Sequence, residues 1–382
     1  MRILYDHQAF DMQTHGGVSR SFVELYKHLP KDVEGKFSVL ETNNVYLKEL
    51  FPMLPQREYQ YHEFLGGLEF RGKGYLHRLY DKLTHGGYYP NYNENYSIEL
   101  LKGGNFDVFH PTFFDDYFLP YLNGKPFVLT IHDMIPELYP QFFAKDDRQI
   151  VMKRKLAPLA SAIIAVSENT KNDIISILNV PEDKVHVVYH GCSLTPQSES
   201  NGPDTKPYIL YVGERWGYKN FSSFIQYAIE ILKCRPDLQI ICTGRPFSDE
   251  ELLLFSSLGI SQRVHHHWVD NDEDLYALYH HALCFVYPSA YEGFGIPILE
   301  AYLAGCPVLL NNASCFPEIA GNAAVYFTMN EKGSNLSEVL EKVLAMNETQ
   351  RKILINRQYE QLKRYSWEKS AEKLTIIYES VL

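Results

Sequence analysis

The densest chemistry in the sequence lies in Ser289-Ala290-Tyr291-Glu292-Gly293-Phe294-Gly295-Ile296-Pro297-Ile298-Leu299-Glu300, directly after the apolar run Cys284–Tyr287. A strand, a glycine-containing turn and a helix start aim unpaired backbone N–H groups and the positive helix end out of a sheet's carboxyl edge, a geometry that receives phosphate. Pro297 suits the first helical turn and Gly305, before Pro307, suits its end, which predicts a short helix over about 297–304. Glu292 in the turn and Glu300 in the first helical turn then face one cleft. One carboxylate can reach a transferred sugar and the other a ribose, because a carboxylate accepts several hydrogen bonds from paired hydroxyls and donates none. The plain alternative is a capping Glu292 and a solvated Glu300.

A second constellation weakens that alternative. Gly213-Glu214-Arg215-Trp216-Gly217-Tyr218-Lys219-Asn220-Phe221 follows the apolar run Tyr208–Val212 and sets Arg215 and Lys219 at the carboxyl end of a strand. Two cations there can neutralise a diphosphate leaving group without a metal ion. Either alone reads as a solvated loop charge; with Glu292 and Glu300 they make a site. His132 and Asp133 end a further strand, where doubly wound sheets bind ligands at their carboxyl edge. Gly16 and Gly17 precede a helix whose Val18, Phe22, Leu25 and Leu29 form one apolar face, and they allow a ligand close to the backbone.

The elements that must position these residues are short apolar runs alternating with segments of helical period, the pattern of parallel sheets with crossover helices. Expected strands are Ile3–Tyr5, Val108–His110, Phe127–Ile131, Ile163–Val166 and Val185–Tyr189, then Tyr208–Val212, Gln239–Thr243, Val264–Trp268, Cys284–Tyr287 and Pro307–Leu310. The fold class is α/β with two doubly wound sheets, in keeping with 382 residues, too many for one ordinary core. The polar stretch 193–205 reads as a linker, with domains expected over 1–195 and 206–365. Residues 51–123, crowded with Tyr, Phe, His and Gly, read as an insertion that shapes an acceptor surface. Within it Arg71, Lys73, Arg78 and Lys82 accompany Leu76, Leu79, Tyr80 and Leu83 at helical spacing, which suits either an anionic membrane surface or a solvated helix on its domain.

The net charge of −11 argues against nucleic acid as a partner, since phosphate-backbone binding needs a basic surface. Six cysteines, none in a C-x-x-C pair, read as reduced and mostly core thiols. Met1–Asp6 reads as a first strand without the apolar region of a signal peptide, and no run approaches a spanning helix. The expected location is the cytosol, with at most peripheral membrane contact.

The sequence resembles the retaining glycosyltransferases of family four. Glu292 and Glu300 match its E-x7-E pattern, and Val212, Gly213, Arg215, Lys219 and Asn220 match V-G-x-R-x-x-x-K-N. Gly16-Gly17-Val18-Ser19-Arg20, Thr130-Ile131-His132-Asp133, Ala165-Val166-Ser167-Glu168 and His190-Gly191 extend the likeness along the chain. The resemblance implies the GT-B architecture, two Rossmann-like domains facing across a cleft, with a last helix, 366–382, returning to the first domain. It implies that Glu300 holds ribose hydroxyls, Arg215 and Lys219 the diphosphate, and Glu292 with the Phe294, Gly295 and Ile296 backbone the donor sugar. Gly16 and Gly17 approach the donor, and His132 and Asp133 lie near the sugar from the opposite wall. The implied reaction moves a hexose, from a GDP-mannose-like or a UDP donor, to a glycan or lipid-linked saccharide. No cofactor or metal is expected. Front-face departure and attack needs no enzymic nucleophile, although Glu292 could serve as nucleophile or electrostatic stabiliser.

Other classes on the same architecture are a nucleotide-sugar epimerase, a sugar phosphorylase and a non-catalytic binding subunit. Asp270-Asn271-Asp272 spells a possible metal motif, but the helical pattern that follows favours a cap. His265-His266-His267 falls in a strand, where neighbours alternate faces, so the nearby loop fits a nucleotide-base wall better than a zinc site. Ser167-Glu168-Asn169-Thr170 reads as an N-cap.

Overall fold

The computed structural model describes residues 1–56, 65, 68, 70, 72, 73, 75, 76, 79, 80, 91–144, 146–196 and 206–382. Two compact units emerge: Met1–Thr130 with Pro158–Ala162 and Thr375–Leu382, and Ile131–Ala157 with Ile163–Leu374. The strands are β1 (Arg2–Tyr5), β2 (Glu34–Phe37), β3 (Val108–His110), β4 (Val128–Ile131), β5 (Ala162–Ala165), β6 (Val185–Val187), β7 (Tyr208–Tyr211), β8 (Gln239–Cys242), β9 (Val264–His266), β10 (Cys284–Tyr287), β11 (Val308–Asn311) and β12 (Val325–Phe327).

In the second unit β7 to β12 form one six-stranded sheet in the order β12-β11-β10-β7-β8-β9, every neighbouring pair parallel. This is the 3-2-1-4-5-6 arrangement of dinucleotide-binding folds, and its order reverses between β7 and β10. The four residues of β7, β10 and β11 are all buried, because helices cover both faces of the sheet. Alternation along β7 divides the core: Tyr208 and Leu210 face one cluster, while Ile209 and Tyr211 face the other. The helix Phe221–Cys234 closes the latter with Phe221, Phe224, Ile225, Ala228, Ile229, Ile231 and Leu232, one stripe at helical spacing.

In the first unit β1 lies between β2 and β3, parallel to both. A parallel bridge joins Phe109 to Phe127, and β4, β5 and β6 form a second three-stranded sheet in that order, with β6 and most of β5 counted in the second unit. The doubly wound sheet expected in the first half is thus two short sheets. Asp6, just past β1, is fully buried, and its carboxylate accepts from Gln8 Nε2 at 2.6 Å, Thr112 N at 2.7 Å, Thr112 Oγ1 at 2.7 Å and Tyr117 Oη at 3.2 Å. The final helix, Trp367–Ser380, begins in the second unit and ends in the residues grouped with the first. There the Tyr378 hydroxyl lies 3.1 Å from that of Tyr5 and 2.6 Å from His110 Nδ1.

Several expectations need correction. β2 and β12 were not anticipated: both lie at a sheet edge, and β2 carries Glu34 and Lys36, exposed charges typical of an edge strand and opposed to an apolar run. The strands from Val185 and Val264 stop at Val187 and His266, before the expected Tyr189 and Trp268. Lys73 is buried, so it is no part of an exposed basic face, whereas Leu76, Leu79 and Tyr80 are exposed. Arg71, Arg78, Lys82 and Leu83 lie outside the described residues, as do residues 197–205 of the expected linker.

Candidate active site

The pairing of β7 with β10, Ile209 beside Cys284 and Leu210 beside Phe285, brings their following loops together at the carboxyl edge. Backbone and side-chain bonds join the loops. Ala290 N donates to Tyr218 O at 2.8 Å, and Asn220 Nδ2 donates to Pro288 O at 3.1 Å. Lys219 Nζ then lies 2.6 Å from Glu292 Oε1, with both side chains largely withdrawn from solvent. A cation and a carboxylate expected separately from sequence are an ion pair at the reversal point of the strand order.

The turn Glu292–Gly295 is held from three sides. Ser314 Oγ donates to Glu292 O at 2.7 Å and accepts from Glu292 N at 3.2 Å. Gly293 O accepts from Ser167 Oγ at 2.7 Å and from Thr170 Oγ1 at 3.2 Å. On its other side Gly293 rests against the backbone carbonyl of His132, where a Cβ would overlap the oxygen, so only glycine fits. Gly295 adopts φ +90° and starts the helix Ile296–Leu303, a conformation that costs a side-chain-bearing residue. Pro297 occupies the second helical position and no side chain caps the helix, which leaves its positive end for a ligand. Phe294 packs on His190, ring centroids 5.2 Å apart.

Glu300 is the fifth residue of this helix, past the first turn in which it was expected, and is buried. Its Oε2 accepts from the Tyr279 hydroxyl at 3.1 Å. Arg215 is held firmly. Nε donates to Glu251 Oε1 at 2.7 Å, Nη1 to Thr243 O at 2.7 Å, and Nη2 to Pro246 O at 3.0 Å and to Arg245 O. The rings of Phe221 and Phe247 lie 5.6 Å and 4.8 Å from the guanidinium carbon. Such an arginine is fixed by its partners and is not a mobile charge.

His132 and Asp133 follow β4, as expected. Asp133 Oδ1 accepts from Ile135 N at 3.0 Å, and Asp133 O accepts from Lys153 Nζ at 3.0 Å. Lys153 also pairs with Glu137 at 2.9 Å, both side chains almost wholly buried. Burial first and the charge of Lys153 second push the His132 pKa down to about 4. His190, its ring centroid 5.8 Å away, is pushed down to about 3 by burial and then by His132. Both imidazoles are therefore neutral near pH 7, able to hydrogen-bond but not to act as standing acids.

Gly16 and Gly17 belong to the first unit, at the start of the helix Gly17–Lys27, where a Cβ on Gly17 would meet nothing within 4 Å. The remaining motifs have local roles. Asn271 caps the helix Asp272–His281 by accepting from Asp274 N at 2.9 Å. His267 Nε2 lies 3.0 Å from Asp274, and His266 Nε2 lies 2.8 Å from Gly244 O. Ser167 Oγ accepts from Thr170 N at 3.0 Å and caps the helix Glu168–Leu178. Ser314, Tyr279, Glu251 and Lys153 support the site but carried no sequence signal, since each acts through a partner distant along the chain.

Comparison with known proteins agrees with this architecture. The family model of "Glycosyltransferase Family 4" matches residues 15–195, and that of "Glycosyl transferases group 1" matches residues 194–361. The Escherichia coli protein named O-antigen chain mannosyltransferase B is 30% identical over 268 residues, 66% of this chain and 70% of the relative. O-antigen chain mannosyltransferase RfbU of Salmonella typhimurium is 27% identical over 235 residues, 62% of this chain and 64% of the relative. Among solved structures, Anabaena HepE, crystallised in complex with UDP and glucose, superposes with a TM-score of 0.71 at 16% identity, covering 99% of each chain. A glycosyltransferase from Rickettsia africae superposes with a TM-score of 0.65 at 18% identity, covering 100% of this chain and 98% of the other. The two-domain α/β fold with parallel sheets is the GT-B fold of these neighbours.

Proposed function

Because the chain belongs to the glycosyltransferases of family four, we propose that it is a retaining, metal-independent hexosyltransferase of cell-surface polysaccharide synthesis. The donor is a nucleotide diphosphate sugar and the acceptor a glycan or lipid-linked saccharide. The observation that carries this reading is the Lys219–Glu292 pair, 2.6 Å apart, beside the uncapped start of the helix Ile296–Leu303. A donor diphosphate entering here takes Lys219 as counter-charge and the helix start as amide donor, freeing the Glu292 carboxylate to accept hydroxyls of the hexose. Glu300, with Tyr279 behind it, accepts from the ribose. Arg215 adds fixed positive potential, so leaving-group charge is met without a divalent ion. In our proposal Gly16 and Gly17 let the donor approach main chain.

The bond between the hexose anomeric carbon and the phosphate oxygen breaks as an acceptor oxygen attacks from the same face. The acceptor proton passes to the leaving phosphate. Neutral His132, with Asp133, hydrogen-bonds the sugar. The mannosyltransferase names of the two relatives favour GDP-mannose, while the UDP bound by HepE keeps UDP donors in play. Among the described residues no helix is long and apolar enough to cross a membrane. We place the work in the cytosol, at the membrane's inner face where the acceptor is lipid-linked. The deciding experiment is a panel of GDP-, UDP- and ADP-sugars, with and without EDTA, scored for nucleoside diphosphate release and for the anomeric configuration of the product. One donor should be turned over with retention, chelator making no difference; no turnover of any donor rejects the proposal.

A further inference from the structure

Beside the Lys219–Glu292 pair lies a group of aromatic rings that belongs to neither core cluster of its unit. Trp216 is 46% exposed and Phe142 is 41% exposed. Trp216 stands edge-on to Tyr218, Phe143 and Phe142, at centroid distances of 5.4, 5.7 and 6.2 Å. Phe142 lies nearly parallel to Tyr139, 6.4 Å away at 21°. Tyr139 in turn is 5.9 Å from Tyr218 and 6.1 Å from Tyr291.

The group is continuous with the site. Lys219 Nζ sits 5.1 Å from the Tyr218 ring, and Tyr291 precedes Glu292 in the chain. Glu292, bonded to Lys219, follows Tyr291 directly, and Asp133 lies against Gly293, the next residue, so both site carboxylates adjoin the group. Large exposed apolar side chains are costly in water and gain by being covered. A pyranose fits such a surface, because its C–H face lies flat on an aromatic ring while its hydroxyl edge meets carboxylates. An anionic membrane does not fit it: the chain carries a net charge of −11, and the Glu292 and Asp133 carboxylates adjoin the group.

We propose that Trp216 and Phe142 form a stacking platform for a pyranose ring of the acceptor saccharide, alongside Glu292 and Asp133. This rests on the glycosyltransferase reading above and adds to it the surface that holds the acceptor. Stacking commits the sugar to one face of the site before transfer, so the platform governs acceptor affinity and not donor affinity.

The test uses the full chain and the methyl α-glycosides of mannose, glucose, galactose and N-acetylglucosamine, observed by saturation-transfer NMR. At least one should receive saturation from the wild-type protein. Trp216→Ala and Phe142→Ala should abolish that transfer, and in a coupled assay they should raise the half-saturating glycoside concentration about tenfold while leaving that of the donor alone. Trp216→Tyr should restore most of the binding, which a purely structural role would not predict in the alanine variant's folded state, checked by thermal midpoint. Absence of saturation transfer to all four glycosides overturns the platform, as does alanine-variant binding equal to wild type. Loss of co-sedimentation with phosphatidylglycerol vesicles in Trp216→Ala, with glycoside binding intact, overturns it in favour of a membrane contact. If no donor is turned over while the glycoside signal depends on Trp216, the platform holds and the glycosyltransferase reading fails.

Discussion

The backbone of Gly293 rests directly on the carbonyl of His132, residues 161 positions apart (293 − 132), with no room for a Cβ between them. This contact fixes the turn that carries Glu292 relative to the loop that carries Asp133. A Gly293→Ala chain must open that contact, at a cost of about 1–3 kcal/mol for forced overpacking. We expect a lower thermal midpoint and loss of most nucleoside diphosphate release. A variant with wild-type melting and wild-type release would show that the contact does not position the site.

Lys219 and Glu292, which we propose meet the diphosphate and the hexose respectively, should on removal affect turnover far more than folding. Lys219→Ala should lower kcat by about 10²–10³, the range for loss of one preorganised electrostatic group. Glu292→Gln keeps the shape, removes the charge, and should lower kcat comparably. The double variant should lose less than the product of the two, because the residues are bonded at 2.6 Å and each loses its partner when the other is removed. Steady-state kinetics with circular dichroism as the folding control measures this; multiplicative effects would separate the two roles.

We propose Glu300 as a binding residue whose carboxylate is fixed by the Tyr279 hydroxyl. Glu300→Ala should raise the donor KM about tenfold or more with a smaller effect on kcat, tenfold being about 1.4 kcal/mol. Tyr279→Phe should move KM the same way by less. A nucleoside diphosphate lacking the ribose 2′-hydroxyl should bind wild type more weakly and Glu300→Ala equally. A kcat effect without a KM effect would remove Glu300 from the ribose.

The paired imidazoles give a pH signature. In the folded chain His132 is lowered to about 4 and His190 to about 3, against an ordinary 6.5. Folding thus favours the neutral rings. Their contribution is present in full above pH 6.5 and is lost as pH falls from 6.5 through 4 toward 3. Denaturant midpoints should fall steeply over that window, and His190→Phe, which packs between Phe294 and Trp367, should flatten the decline. An unchanged slope would mean that other groups govern the acid limb.

The core strands were legible as residues because β7, β10 and β11 are buried on both faces and therefore read as unbroken apolar runs. The short helix was legible from Pro297 and Gly305, which occupy its second position and the left-handed residue past its end. The edge strands β2 and β12 are not legible in the sequence because a strand open on one side needs no such run.

Local patterns determined which polar residues follow the strands: Arg215, Lys219, Glu292, His132 and Asp133 stand in the loops after apolar runs, and Glu300 in the short helix after the last of these loops. What each faces was decided only in three dimensions. Lys219 meets Glu292, Arg215 is anchored by Glu251, Glu300 by Tyr279, and Gly293 is clasped by His132, Ser167 and Thr170. The reason is that a strand and its turn are set by interactions among neighbours in the chain, whereas these partners are brought together by the order of strands in the sheet, which local propensity does not encode.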